Sequence, residues 1–248
     1  MGRVEIPQEL AGALRKARRV AALTGSGVSA ESGVPTFRDA YEGSGLWERF
    51  DPEELATPEA FARNPKLVWE WYSWRRELVA GAEPNPAHRA LAELERRVPL
   101  FTLITQNVDG LHRRAGSENV IELHGNILRT VCSAERTPQE PGEESPPRCP
   151  RCGAPLRPDV VWFGEALPPG AMEAASEAAR GCEVFLCAGT SGVVYPAAGL
   201  PREAAESGAL LVEVNPEPTP VTPLAEFVLR GRAGEVLPAL VAAAFPPG

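Results

Sequence analysis

Arg19-Val-Ala-Ala-Leu-Thr-Gly-Ser-Gly-Val-Ser29 decides the fold. It is an apolar run that reads as a buried strand, and it breaks at Gly25 and Gly27 before a helical start. Glycine allows a tight turn and a close backbone approach, and a helix N-terminus offers N–H donors to a pyrophosphate. A Gly-x-Gly pair alone is a weak signal, since an ordinary strand-to-helix turn uses the same residues. The third position of a dinucleotide fingerprint holds Ala30, a permitted substitute for glycine.

Four further runs share the character of the first: Leu100 to Thr105, Glu183 to Thr190, Ala209 to Asn215 and Glu226 to Gly231. All are apolar on both faces, as parallel strands covered by helices must be. Helices are expected between them over Pro7–Ala17, Lys66–Ala80, Ala87–Arg97, Pro169–Arg180, Ala197–Ser207 and Glu235–Ala244. Asn64-Pro65 and Asn85-Pro86 each read as an N-cap followed by proline in the first turn. The alternation predicts an α/β fold, a doubly wound Rossmann-like parallel sheet.

Two stretches break the alternation. Pro35 to Gly81 is helical, aromatic and strandless for too long to be one crossover. Gly125 to Gly164 carries three of the five cysteines, many prolines and an acidic loop. Both read as insertions that form a smaller, discontinuous helical and zinc-ribbon-like module. The expected division is residues 1–34, 82–123 and 166–248 for the larger Rossmann-like domain, and 35–81 with 124–165 for the module.

The 248 residues carry 25 Lys+Arg against 33 Asp+Glu, a net charge of −8. An acidic balance argues against a nucleic-acid coat. No apolar run spans a bilayer, and residues 1–19 lack the apolar core of a secretory signal. Five cysteines are too few for a disulfide scaffold. The expectation is therefore a reduced, cytoplasmic protein with no nucleic-acid or membrane partner, monomeric rather than oligomeric.

The first glycine loop continues as Gly25-Ser-Gly-Val-Ser-Ala-Glu-Ser-Gly33-Val-Pro-Thr-Phe-Arg-Asp39. Thr105-Gln-Asn-Val-Asp-Gly110, Leu123-His-Gly125, Gly189-Thr-Ser191 and Asn215-Pro-Glu217 follow in order. This set resembles the sirtuins, the NAD-dependent protein-lysine deacylases, over nearly the whole chain. NAD would then be consumed as a co-substrate, with no hydride transferred. Read alone, Asn107 would be an ordinary turn residue closing a strand. The resemblance implies instead that Gln106, Asn107, Val108 and Asp109 contact the nicotinamide and its ribose, with Asn107 and Asp109 counted as catalytic.

Only three histidines are present, and His88 and His112 read as structural. His124 titrates near neutrality in its unperturbed state, which suits a general base, and the resemblance makes it the catalytic histidine. The acyl-lysine oxygen would attack the nicotinamide ribose and displace nicotinamide. His124 would then take a proton through the ribose hydroxyls, and water would complete release of lysine and O-acyl-ADP-ribose.

The resemblance also implies NAD contacts from Gly25, Ser26, Gly27, Val28 and Ser29. It adds a covering loop at Thr36, Phe37, Arg38 and Asp39, phosphate and adenosine contacts at Gly189, Thr190, Ser191, Asn215, Pro216 and Glu217, and Ala233 near the end of the match. Val161, Phe163, Gly164 and Glu165, with Val193 and Tyr195, would clamp an extended acylated-lysine peptide by strand addition.

Tyr72 and Arg75 stand three residues apart on one helix and share a face. A phenol and a guanidinium so placed can bind one carboxylate, although aromatics at helical spacing are more often core. The resemblance implies a class that removes succinyl, malonyl and glutaryl groups while keeping some deacetylase activity. Ala56 matches a small residue that leaves room in that pocket.

Cys149-x-x-Cys152 suits tetrahedral zinc. The sirtuins complete four ligands with an earlier cysteine pair, whereas here only Cys132 precedes, followed by Ser133, Ala134, Glu135 and Arg136. One structural zinc on Cys132, Cys149 and Cys152 is expected, its fourth ligand water, Glu135 or a neighbour. Cys182 and Cys187 read as core thiols. Mono-ADP-ribosyl transfer, and a non-catalytic sensor of NAD or acyl-lysine, are the two alternatives.

Overall fold

The computed structural model describes residues 5–35 and 52–246, with the side chains of 52 and 53 excepted. In chain order the elements begin with α1 (Gln8–Lys16) and β1 (Arg19–Thr24). Then come α2 (Pro52–Leu55), α3 (Pro58–Arg63), α4 (Pro65–Gly81) and α5 (Pro86–Arg97). Next are β2 (Leu100–Thr105), α6 (Leu111–Arg114), β3 (Val120–Glu122), β4 (Gly125–Cys132), β5 (Leu156–Val160), α7 (Ala171–Gly181) and β6 (Val184–Ala188). The chain ends with α8 (Leu200–Glu206), β7 (Leu210–Val214), β8 (Phe227–Leu229) and α9 (Ala233–Ala244).

Six strands form one parallel sheet in the order β3-β2-β1-β6-β7-β8. The side-chain alternation of β1 shows why these runs are apolar throughout. Val20 and Ala22 pack with Leu10, Leu14, Leu91, Leu94 and Leu240 from α1, α5 and α9. Ala21 and Leu23 face the other way, onto Ala175, Ala179, Leu200 and Ala204 of α7 and α8. A strand with a helical layer on each face has no polar side. Cys182 and Cys187 lie in the second layer as expected.

The expected caps are present. Asn64 Oδ1 accepts from Leu67 N at 3.1 Å, and Asn85 Oδ1 accepts from Ala87 N at 2.8 Å. Asn85 Nδ2 also donates to Val28 O at 2.7 Å and Ser32 Oγ at 3.1 Å, which ties the start of α5 to the glycine loop.

Three expectations are corrected. No α-helix follows Gly27; two 3-10 turns, Ser26–Val28 and Ala30–Ser32, take its place. The left-handed Gly33 (φ 77°) and then Pro35 stop the coil before i→i+4 bonding can begin. The edge strand β3 went unassigned, because three half-buried residues carry no periodicity. The stretch expected to begin a helix at Ala197 opens as a 3-10 turn to Gly199, and α8 starts at Leu200.

Outside the sheet, β4 and β5 pair antiparallel. Ile127, Val160 and Trp162 from this region pack with Phe61, Val68, Trp71, Tyr72 and Val79 of α3 and α4. Arg76 fastens the two pieces together: Nε donates to Ile127 O at 2.6 Å, and Nη2 donates to Arg129 O and Thr130 Oγ1 at 3.0 Å each.

Chain order reverses at β1, between β2 and β6, and an open α/β sheet has its ligand crevice at such a point, outside the carboxyl ends of the strands. Gly25 N donates to Ala188 O at 3.1 Å and Gly27 N to Gly189 O at 2.9 Å. A Cβ on Gly25 or Gly27 would lie 2.8 Å from Gly189 O, and one on Gly189 (φ 59°) would lie 2.5 Å from Val28 N. These glycines are thus required for loop-on-loop packing, before any ligand is considered. Gly189→Ala is expected to lower unfolding stability by at least ~2 kcal/mol, from left-handed strain plus overlap. A urea midpoint equal to that of the parent chain would contradict this packing account.

Candidate active site

The crevice collects residues from five strand ends, those of β1, β2, β3, β6 and β7. Ser29 sits at its centre and is buried. Its Oγ donates to Asp109 Oδ2 at 2.7 Å and accepts from Asn107 Nδ2 at 3.1 Å. His88 Nδ1 accepts from Asn85 N at 3.2 Å, so Nε2 carries the ring hydrogen and faces Ser29 Oγ at 3.3 Å. One donor and two acceptor sites are all a hydroxyl has, and here all are used.

Asn107 and Asp109 are both buried. Asn107 Nδ2 also donates to Gly25 O at 3.0 Å, and its backbone N–H donates to Thr105 Oγ1. Asp109 Oδ1 accepts from Leu111 N at 2.8 Å, at the start of α6. Burial raises the Asp109 carboxyl above its usual range, opposed by the Leu111 N–H and the Ser29 hydroxyl. Val108 turns to the small module, where its carbonyl accepts from Ile127 N at 2.8 Å.

The structural reading of His88 and His112 agrees with their burial on α5 and α6. His88 lies fully buried on α5, its ring 4.8 Å from that of His112, whose Nε2 faces Thr24 Oγ1 at 2.9 Å. Burial lowers His88 to about 4 and His112 well below its ordinary value, so both are neutral. They support the floor of the crevice.

His124 follows β3 and is half-buried. Its Nδ1 lies 3.0 Å from Gln106 O. A carbonyl only accepts, so Nδ1 carries the hydrogen and Nε2 is the bare, basic nitrogen. Burial moves the ring below its ordinary value, and the Gln106 bond opposes that shift. Gln106 Nε2 donates to Thr190 Oγ1 at 2.9 Å, and Asn215 Nδ2 donates to Thr190 O at 2.7 Å. Loops after β2, β6 and β7 are thereby joined. Ser26, Pro216 and Glu217 are exposed at the rim, Ser191 is half-buried and Ala233 is buried at the start of α9. Thr36, Phe37, Arg38 and Asp39 lie outside the described residues.

Beside the crevice, Val161 N donates to His124 O and Phe163 N to Ala56 O, each at 2.9 Å. Phe163, Val193 and Tyr195 are exposed, and Gly164 lies beside them. Glu165 departs from the expected clamp: its carboxylate pairs with Arg157 at 2.6 and 2.8 Å and accepts from Trp162 N at 2.9 Å. It braces the loop from inside. Tyr72 is buried, and the Arg75 guanidinium lies 5.5 Å from its ring centre and 4.8 Å from that of Trp71.

The cysteine cluster lies away from the crevice. Cys132, Cys149, Cys152 and Glu135 bring one ligand atom each within 4.8 Å of one another. Cys132 Sγ and Cys152 Sγ are 3.5 Å apart. Tetrahedral zinc with bonds of about 2.3 Å sets sulfurs roughly 3.8 Å apart, so the set fits zinc. Glu135 is the side chain placed to offer a fourth ligand. Bound there, zinc would cross-link the start of the module to the Cys149–Cys152 knuckle.

The Sir2 family pattern matches residues 25–196. The "NAD-dependent protein deacylase 2" of Pyrobaculum aerophilum is 57% identical over 231 residues, 92% of each chain. The structure of a Sir2 homologue–NAD complex superposes with a TM-score of 0.90 at 48% identity, over 98% of this chain and 96% of that one. Sir2Af2 bound to a myristoylated histone peptide matches with a TM-score of 0.77 at 38% identity, over 96% and 95%. The chain belongs to the Sir2 family and is an NAD-dependent protein deacylase.

Proposed function

We propose that this deacylase prefers lysines carrying acidic acyl groups, succinyl, malonyl or glutaryl, and releases nicotinamide and O-acyl-ADP-ribose. The observation that carries the preference is the stacking of Arg75 against Tyr72 and Trp71 on one face of α4. It holds a guanidinium beside a phenol, where one carboxylate can meet both. Ala56, small and buried, leaves space next to them. The peptide-bound neighbours support a protein substrate laid between residues 161–165 and 193–195.

In this reading Asn107 and Asp109 hold the nicotinamide ribose, and Gly25–Ser29, Gly189–Ser191 and Asn215–Glu217 hold the rest of NAD. The acyl oxygen displaces nicotinamide from the ribose. His124 Nε2 takes the proton that frees the 2′-oxygen to attack the acyl carbon, and addition of water then breaks the bond to nitrogen, releasing lysine and O-acyl-ADP-ribose. The larger domain would then carry NAD and the smaller module would carry the acyl pocket and zinc, with the boundaries given above.

Arg75→Met tests the preference. Its kcat/KM for succinyl-lysine peptide is expected to fall at least about tenfold more than for the acetyl form, since a charged hydrogen bond contributes roughly 1.5–3 kcal/mol. Equal losses on the two peptides defeat the acidic-acyl reading. The base assignment is tested by pH. The active form of His124 is deprotonated, and burial lowers its pKa. Activity should therefore survive to lower pH than an unperturbed imidazole allows, with an acid-limb midpoint below about 6.5. A midpoint above that value contradicts the assignment.

A further inference from the structure

Tyr72 on α4 and Trp162 after β5 are 90 residues apart, yet the Trp162 indole Nε1 donates to Tyr72 Oη at 3.0 Å. Both side chains are 2% exposed. An indole N–H can only donate, so the phenolic oxygen is the acceptor in this bond. The hydroxyl hydrogen of Tyr72 therefore points away from the indole.

The indole itself is held on every side. The Arg157 guanidinium lies over its ring, 3.3 Å from the centre. Phe61 packs against it at 5.1 Å between ring centres, tilted by 48°. Its backbone N–H donates to Glu165 Oε2 at 2.9 Å. Arg157 is fixed in turn by the two-pronged Glu165 pair and by the Val160 carbonyl at 2.9 Å. A Glu165–Arg157–Trp162 stack this well anchored is more than is needed to fill space, because phenylalanine would fill most of the same volume without a donor.

We infer that Trp162 is a positioning residue for acyl selectivity: its N–H fixes the Tyr72 hydroxyl so that it acts with Arg75 on the carboxylate of an acidic acyl group. This rests on the acidic-acyl reading above. Accepting one hydrogen bond polarises an O–H and makes it a better donor. It also removes free rotation about the C–O bond. An acetyl group has no carboxylate to meet that hydroxyl, so it reads the packing of Trp162 but not its N–H.

The test uses the full chain with NAD and one peptide in succinyl- and acetyl-lysine forms. kcat/KM is measured for the parent, Trp162→Phe, Tyr72→Phe, the double variant and Arg75→Met. Trp162→Phe keeps a ring on Arg157 and Phe61. It is expected to lower the succinyl value about fivefold more than the acetyl value, the size of one buried hydrogen bond. In the Tyr72→Phe background the same change should add no further separation between the peptides. Arg157→Lys, which loosens the indole without removing it, should cause a selective loss in the same direction and serves if Trp162→Phe fails to fold.

Equal losses on both peptides, or a selective loss that persists without the Tyr72 hydroxyl, overturn the inference. Arg75→Met separates the two levels. If it is selective while Trp162→Phe and Arg157→Lys are not, the inference alone fails. If Arg75→Met is itself unselective, the acidic-acyl reading fails and the inference falls with it.

Discussion

Two loops meet at the switch point of the sheet with no room for a side chain between them. Gly25 and Gly27 donate to the carbonyls of Ala188 and Gly189, at distances where any Cβ would overlap backbone. That contact carries Ser29 over the end of β2, where its hydroxyl joins Asn107 and Asp109. It also brings Thr190 within reach of Gln106 and Asn215. The polar floor of the crevice is thus a consequence of backbone packing between β1 and β6. In a buried, fully hydrogen-bonded network each group holds its neighbours in one arrangement.

Beside this floor, α3 and α4 and the β4–β5 pair are held to one another by a few strong donors. Arg76 binds three acceptors on β4, and Arg157 binds Glu165 and the Val160 carbonyl. Charged donors with several acceptors are stiff connections. They set α4, with Tyr72 and Arg75, against the loop that follows β5, and that loop returns to His124 through Val161 N. The proposed acyl pocket, peptide edge and base are therefore linked by hydrogen bonds across elements distant in sequence.

The strands were legible because helices cover both faces and force continuous apolar runs, as Val20 to Leu23 show by dividing between the two layers. The caps at Asn64 and Asn85 were legible for a local reason, a short polar side chain before proline. The motif residues were legible through family resemblance rather than pattern, and the structure gathers Gly25–Ser29, Gln106–Asp109, His124, Gly189–Ser191 and Asn215 at one end of the sheet. β3 was not legible, being three residues long. Nor was the burial of His88 and His112, which depends on α5 and α6 meeting over the end of β1 rather than on their neighbours in sequence. The inward role of Glu165 was hidden too, because its partner Arg157 lies across a turn that no periodicity reports.

The central claim is that this crevice spends NAD in two stages, with His124 serving only the second. His124→Tyr, incubated with NAD, succinyl-lysine peptide and labelled nicotinamide, addresses it directly by mass spectrometry. The account predicts that label still exchanges into NAD in a peptide-dependent way while deacylated peptide and O-acyl-ADP-ribose fall by at least about a hundredfold, the usual range for loss of a general base. Deacylation retained near the parent rate would contradict the account.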